Sequence, residues 1–341
     1  MALIYTALTL NDLPLPPPDK SGWPWTEQSE TFTKWMPDNS EWPRISIVTP
    51  SYNQGQFIEE TIRSVLLQGY PNLEYIIIDG GSTDNSVEII KKYEKYLAYW
   101  VSEPDRGQSH ALNKGFCRAT GHLIGWQNSD DYYHSEAFVK AAKASVCFKD
   151  IDIIYGLTKN VDQYGNFVGD YPVSSFNIEE MMPYLNMCNQ SMFFNKKIFE
   201  NNNFINEDFQ HAMDLEFLLR LALKNYKFYL HSDIIGYYRV HENAKSFKQY
   251  NICADECLII YSSVYKNTAL NNNLRNKAIS CIHGLCLDSF RVFKLDIFYK
   301  SLKMLISLSG LKHIDSKITC KYLLSFLGTQ NLQRIKKIKI S

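Results

Sequence analysis

Residues 123–133 read LIGWQNSDDYY, a short apolar run that stops at Asn128, Ser129, Asp130 and Asp131. A strand that delivers two adjacent carboxylates to its own end presents hard oxygen ligands of the kind that suit Mg2+ or Mn2+, and a cation held there can bind a diphosphate. The competing reading is a plain turn, because Asn, Ser and Asp also bond their own backbone. Two other strand ends tilt the balance toward chemistry. Tyr52 and Asn53 close one apolar run and Asp79 closes another, and in open α/β sheets ligands sit beyond the carboxyl ends of the strands. A further acid, Asp214, lies near the start of a helical pattern, where the positive end of the helix dipole favours its ionised form. Glu207 and Asp208 are rival carboxylates just upstream.

These groups need a scaffold, and the chain alternates as one. Ile45, Ile47 and Val48 form a β-branched run ending in TPSYNQGQ, the pattern of a fully buried parallel strand. Phe57, Ile58, Ile62, Val65 and Leu66 fall at helical spacing within residues 56–68, and Gly69 with Pro71 stop that helix. LEYIIID over residues 73–79 predicts a second strand, and a helix follows GGSTDNS to about residue 97. A short strand at 98–101, a helix near 110–119 with Lys114, and a strand at 122–127 lead to the acids. Such alternation predicts a parallel sheet with helices on both faces. Farther on, strands are expected at 152–155, 186–194, 226–230 and 234–240, with a hairpin turn at Tyr164-Gly165-Asn166 and a short helix at 195–201. In the helix that starts near His211, Leu215, Leu218, Leu219 and Ala222 share one face.

The two ends differ from this middle. Residues 1–43 hold seven prolines and four tryptophans, which forbids regular helix and predicts an extended arm lying on the domain. Its aromatics either pack on the surface or help wall an acceptor site, since a tryptophan face stacks on a sugar ring. From residue 249 the chain reads as helices, and residues 270–341 carry thirteen Lys or Arg against three Asp or Glu in a chain of zero net charge. Leu295, Phe298, Leu302 and Leu305 interleave with Lys294, Lys300 and Lys303, and Lys336, Lys337 and Lys339 follow in QRIKKIKIS. A basic amphipathic helix of this type can lie on an anionic bilayer, and a helical cap with a solvated basic face is the rival reading. The expected organisation is therefore an arm over 1–43, a catalytic domain over 44–248 and a basic helical region over 249–341.

Composition narrows the class. No apolar run approaches the ~18 residues of a membrane span. The opening MALIYTALTL lacks the basic residue of a secretory signal, so the chain reads as cytoplasmic, working at the inner face of the membrane if its basic end docks there. Eight cysteines without a C-x-x-C pair read as reduced thiols rather than zinc ligands. No recognised nucleic-acid motif accompanies the basic residues, so no nucleic-acid partner is expected.

PRISIVTPSYNQGQFIEETIRSVLLQ, YIIIDGGSTDNSVEII, EPDRGQSHALNKGF and TGHLIGWQNSDD resemble the inverting glycosyltransferases of family 2, of the bacterial surface-polysaccharide type. The resemblance covers about residues 44–246. It implies an α/β architecture, the GT-A fold, with a mostly parallel central sheet flanked by helices, here followed by an α-helical C-terminal extension. It also implies a nucleotide-diphospho-sugar donor, a UDP-sugar first, a Mn2+ or Mg2+ cofactor, and transfer to a hydroxyl of a saccharide acceptor such as an O-antigen repeat unit on a lipid carrier. Carried over position by position, Pro50, Ser51, Tyr52, Asn53 and Asp79 face the nucleotide, and Asn128-Ser129-Asp130-Asp131 is the counterpart of the D-x-D-type signature for metal and diphosphate. Asp214, in D-x-E-x-x-x-R, matches the catalytic base. Asp130, Asp131 and His241 form the expected metal set, and Arg239, Lys245 and Ser246 are weaker phosphate candidates. Arg106, Gln108 and Lys114 join the donor-binding residues, and His110 and Gln190 are candidates for specificity. The chain departs from the family pattern twice: Gly80 stands where a second Asp often sits, and Asn128 replaces the first carboxylate of the signature.

Two other functions share parts of this pattern. A sugar-phosphate nucleotidyltransferase would need a Gly- and Arg-rich loop after the first strand, and TPSYNQGQFIEE has one Gly and no Arg. A non-catalytic nucleotide-sugar-binding protein would keep Tyr52 and Asp79 but would not need Asp214.

Overall fold

The computed structural model describes residues 6–183, 185–242 and 249–338, the last helix with side chains to residue 333. It divides into two compact units, Met1–Asn177 with Leu185–His241, and Ile178–Tyr184 with Glu242–Ser341.

The first unit is built on a nine-stranded sheet. Four strands, β1 (Ile45–Ser51), β2 (Leu73–Asp79), β3 (Tyr99–Ser102) and β4 (Leu123–Trp126), lie parallel in the order β3-β2-β1-β4. Helices α1 (Ile58–Leu66), α2 (Ser86–Lys92) and α3 (Gln108–Phe116) make the crossovers. Every residue of β1 and β2 is buried, as expected of central strands of a parallel sheet covered on both faces. The register sets Ser51 beside Asp79 and Asp79 beside Ser102, so three strands end in one polar row.

Beyond β4 the sheet becomes mixed. Strand β5 (Tyr132–Tyr133) and helix α4 (Ala137–Cys147) follow the acids, then β6 (Ile153–Val161) and β7 (Phe167–Asp170) form the expected hairpin. After β8 (Met192–Asn195), α6 (Lys197–Glu200) and α7 (Met213–Leu223), strand β9 (Phe228–Arg239) runs parallel to β6. β8 lies antiparallel between β4 and β6, and β5 is antiparallel to β9. Parallel pairing still accounts for most of the paired residues. Two expected strands merge into β9, whose pairing with β6 shifts register around Gly156 and Leu157. The strand expected over 186–194 shortens to β8, because Asn189–Ser191 folds into a 3-10 turn.

The Pro- and Trp-rich arm belongs to this unit's core. Leu13, Met36 and Trp42 join the same buried cluster as Ile45, Ile62, Val65, Tyr75 and Phe138. Arg63 of α1 is fully buried. Its guanidinium donates to the carbonyls of Pro14 (2.8 Å), Pro24 (3.1 Å) and Trp25 (2.9 Å). Trp23 Nε1 donates to the Tyr133 carbonyl at 2.8 Å.

The second unit is helical: α5 (Ile178–Met181), α8 (Tyr250–Lys266), α9 (Asn272–Arg291), α10 (Leu295–Ser309), α11 (Ser316–Ser325) and α12 (Gly328–Ile338). Ile297, Phe298, Leu302 and Leu305 of α10 are buried, packed in this unit with α8 and α9. The apolar stripe expected to meet a bilayer is thus the unit's own core. Among the described residues no helix is long and apolar enough to cross a membrane. All eight cysteines are free thiols.

Candidate active site

The row of polar strand ends is organised by Asp79. This fully buried carboxylate accepts hydrogen bonds from Ser51 Oγ (3.0 Å), Ser102 Oγ (2.7 Å), Ser82 Oγ (2.5 Å) and the backbone N–H groups of Gly81 (3.1 Å) and Ser82 (2.9 Å). So many donors leave Asp79 as the post that holds three strand ends and the 80–82 loop together. Asn53, in the left-handed region at φ 52°, accepts from Thr83 N–H at 2.8 Å and donates its own N–H to Ser82 Oγ at 2.8 Å, which locks the loop after β1 against the loop after β2. Tyr52 between them is 61% exposed. A Cβ on Gly80 would come within 2.7 Å of Asp105 Oδ2. The space for a second side chain after Asp79 is therefore taken by the acid of EPDRG, a residue that the sequence reading passed over.

The loop after β4 is gripped from two sides. Thr61 of α1 donates its hydroxyl to the carbonyls of Ser129 (3.0 Å) and Asp131 (2.6 Å). Arg239, at the end of β9, donates Nε to the Asp130 carbonyl at 2.8 Å and Nη1 to the carbonyls of Asp162 (3.2 Å) and Gln163 (3.1 Å). Its Nη2 pairs with Glu60 at 2.9 Å, and its guanidinium sits 4.8 Å from the Phe57 ring centroid. Arg239 is 2% exposed. Its donors are spent on the carbonyls of Asp130, Asp162 and Gln163 and on Glu60, so in this structure it clamps the loop. Burial raises the Glu60 carboxyl above its ordinary range, against the opposing charge of Arg239. Thr61 was legible in one respect: it is a polar residue on the apolar face formed by Ile58, Ile62 and Val65.

The two adjacent acids separate. Asp131 turns inward and is 1% exposed, with Oδ1 accepting from the Arg239 backbone N–H at 2.7 Å and Oδ2 from Asn128 Nδ2 at 3.3 Å. Burial, helped by the neighbouring Asp130 charge, pushes its carboxyl well above the usual range. Of the expected metal set, Asp131 has both oxygens engaged inside the protein. Asp130 faces out, and its Oδ2 lies 3.2 Å from His241 Nε2, whose ring rests on Phe57 at 4.8 Å. Two cis ligands of an octahedral ion with bonds of about 2.1 Å lie about 3.0 Å apart, so Asp130 and His241 fit one edge of such a site. Among the described residues no group of three His, Cys, Asp or Glu is arranged around a single metal position. The other ligands would be water and phosphate oxygens, the coordination Mg2+ favours.

Helix α3 supplies the adjoining wall. Gln108, at its start, donates Nε2 to Asn128 Oδ1 at 2.8 Å, and Trp126 Nε1 donates to the same oxygen at 2.8 Å. Ser109 and Asn113 tie α3 to the 205–209 segment through the carbonyls of Phe209 (2.8 Å) and Ile205 (2.9 Å). Arg106 pairs with Glu207, and Arg106 N–H donates to His110 Nδ1 at 3.3 Å. Lys114, farther along α3, is paired with Glu103. Asp214 stands in the first turn of α7, where Oδ1 accepts from Leu215 N–H at 2.8 Å. Burial raises the Cys188 thiol above its ordinary value, and the charges of Asp131 and Asp214 add to that rise. Cys188 donates to Gln190 Oε1, and Gln190 is 1% exposed. Lys245 and Ser246 lie outside the described residues.

Comparison with known proteins agrees with this geometry. Residues 46–240 match the family model for glycosyl transferase family 2. An uncharacterised glycosyltransferase of Mycobacterium tuberculosis is 30% identical over 194 residues, which cover 53% of this chain and 70% of that protein. Among solved structures, TarS 1–349 of S. aureus in complex with UDP-GlcNAc superposes with a TM-score of 0.58 at 18% identity, over 82% of this chain and 83% of that one. A mannosyltransferase of Pyrobaculum calidifontis in complex with GDP-Man and Mn2+ superposes with a TM-score of 0.56 at 18% identity, over 86% and 83%. Both likenesses establish the GT-A fold.

Proposed function

This chain belongs to glycosyl transferase family 2, and from that premise we propose that it is an inverting, metal-dependent enzyme that moves a sugar from a nucleotide-diphospho-sugar to a hydroxyl of a growing surface polysaccharide. The observation that carries this reading is the 3.2 Å contact between Asp130 and the buried His241, with Asp130 on a loop whose carbonyls Thr61 and Arg239 hold from behind. The donor nucleotide would lie over Pro50, Ser51, Tyr52 and Asn53, with Asp79 fixing that wall from below and the exposed Tyr52 ring free to stack on a base. A UDP-sugar is the first donor to try. A divalent cation at Asp130 and His241 would neutralise the charge that develops on the departing diphosphate. Gln108 and Asn128 would hold the diphosphate side of the crevice, with Arg106, just before α3, and Lys114, farther along it, as outer candidates.

Asp214 would take the proton from the acceptor hydroxyl as that oxygen attacks the anomeric carbon. The bond from the anomeric carbon to the diphosphate oxygen breaks on the opposite face, and the nucleoside diphosphate leaves with the electron pair, so the sugar inverts. The acceptor is a saccharide on a lipid carrier, met by peripheral contact with the inner face of the cytoplasmic membrane.

Incubation with Mn2+, a panel of UDP-, GDP- and dTDP-sugars and candidate oligosaccharides tests this directly. Acceptor-dependent release of nucleoside diphosphate with an inverted product linkage is expected. Pyrophosphate exchange, or retention of anomeric configuration, would overturn the reading.

A further inference from the structure

Helix α11 is amphipathic the wrong way round for a helix packed against its own domain. Its inner side is set by Ile318 and Ser325, both buried and seven residues apart, and Ser325 Oγ lies 2.7 Å from Tyr299 Oη of α10. The outer side of a helix seated this way is ordinarily polar. Here it presents Leu323 and Leu324, and Phe326 and Leu327 of the turn that follows extend this apolar surface; Leu323 is 63% and Phe326 69% exposed, and Tyr322 meets the Phe326 ring edge-on at 5.2 Å. Lys317 and Lys321 flank this surface and, with Phe290, Ser316, Cys320 and Leu324, line a cleft of about 340 Å3 beside it. Lys321 Nζ sits 5.0 Å from the Phe290 ring. Among the described residues, none of Lys312, Lys317 or Lys321 takes part in an ion pair with a carboxylate.

We propose that the outer face of α11 and the turn after it, with Leu323, Phe326 and Leu327 as apolar tips and Lys317 and Lys321 as the rim, is the surface that seats this chain on an anionic lipid bilayer. A contiguous apolar patch of this kind marks an interaction site. Its occupant follows from charge: residues 270–341 carry thirteen basic against three acidic residues, and a row of apolar tips edged by lysines is the complement of acyl chains beneath anionic headgroups. The inference deepens the peripheral-membrane part of the proposed function, moves it from α10 to α11, and is independent of the transfer chemistry.

The test is sedimentation of the full chain with vesicles of phosphatidylglycerol and phosphatidylcholine, beside vesicles of phosphatidylcholine alone. The parent protein should bind the anionic vesicles, and the triple variant Leu323→Ser, Phe326→Ser, Leu327→Ser should bind roughly a hundredfold more weakly. Circular dichroism and the melting temperature should not change, because all three side chains are exposed. Lys317→Ala with Lys321→Ala should weaken binding at low salt and lose that effect at high salt. If the parent binds and the triple variant binds equally well, α11 is not the docking face, although membrane contact through another surface survives. If the parent binds no vesicles, both the surface and the peripheral-membrane reading fail. Light scattering that gives a dimer for the parent and a monomer for the triple variant, without vesicle binding, would assign the face to a second copy of the chain and overturn the lipid proposal.

Discussion

The backbone N–H of Arg239 donates to Asp131 Oδ1 at 2.7 Å, while its side chain holds the carbonyl of Asp130 at 2.8 Å. One residue at the end of β9 thus fixes both acids, one by its main chain and the other by its guanidinium. Arg239→Met would leave Glu60 buried and unpaired, and loss of one partner of a buried ion pair costs about 3–5 kcal/mol. Urea unfolding should report a destabilisation of that order. Arg239→Lys should recover only part of it, because an ammonium cannot reach Glu60 and three separated carbonyls together.

Asp214→Asn separates binding from chemistry. A positioned general base contributes about 10²–10⁴-fold, so turnover should fall within that range while donor affinity, followed by calorimetry with Mn2+, stays within a factor of a few. A parallel loss of donor affinity would move the base elsewhere, with Glu207 and Asp208 next in line.

Asp130→Asn and His241→Ala should each raise the Mn2+ concentration needed for half-maximal activity. Asp131→Asn should act chiefly on stability, because Asp131 faces Arg239 and Asn128 rather than the crevice. A metal titration of the three variants distinguishes an outer ligand pair from a ligating pair of adjacent acids.

Asn128→Asp would supply the carboxylate that the family pattern favours at this position. In this chain it should be harmful. Asn128 Oδ1 accepts from Trp126 and Gln108, and Nδ2 faces Asp131 at 3.3 Å. An aspartate keeps the two acceptor contacts but sets a second carboxylate against Asp131 in place of a donor. A loss of about 1–3 kcal/mol is expected at neutral pH, shrinking as the medium is acidified and the pair takes up a proton.

His134, just past the signature, gives an acid-side signature of its own. Burial lowers its imidazole below the ordinary value of 6.5. The unfolded chain therefore binds this proton at a higher pH than the folded one, and stability is complete above about 6.5 and declines as pH falls below it. His134→Asn should flatten that part of the stability profile in thermal melts from pH 7 to pH 5.

Much of the framework was legible because it is written in local pattern. The β-branched runs of β1 and β2, the stop at Gly69 and the polar ends at Tyr52, Asp79 and Asp130 follow from burial on both faces of a parallel sheet. The roles of neighbouring residues were not, because they depend on contacts far apart in sequence. Nothing local separates Asp131 from Asp130, and only the strand that ends 108 residues later at Arg239 turns one inward. Asp105 was hidden for the same reason, since its relation to Gly80 exists only once β2 and β3 lie side by side. The buried stripe of α10 and the exposed one of α11 have similar composition, and tertiary packing alone decides which is covered.

Arg63 carries a consequence for how the chain is made. The carbonyls of Pro14, Pro24 and Trp25 find their shared donor on α1, about fifty residues downstream of the first of them. During synthesis at about 5–20 residues per second, the strap therefore leaves the ribosome several seconds before the guanidinium that will hold it. Trp23 and Trp42, whose partners Tyr133 and Tyr70 come later still, spend that interval uncovered, which offers apolar surface to a nascent-chain chaperone.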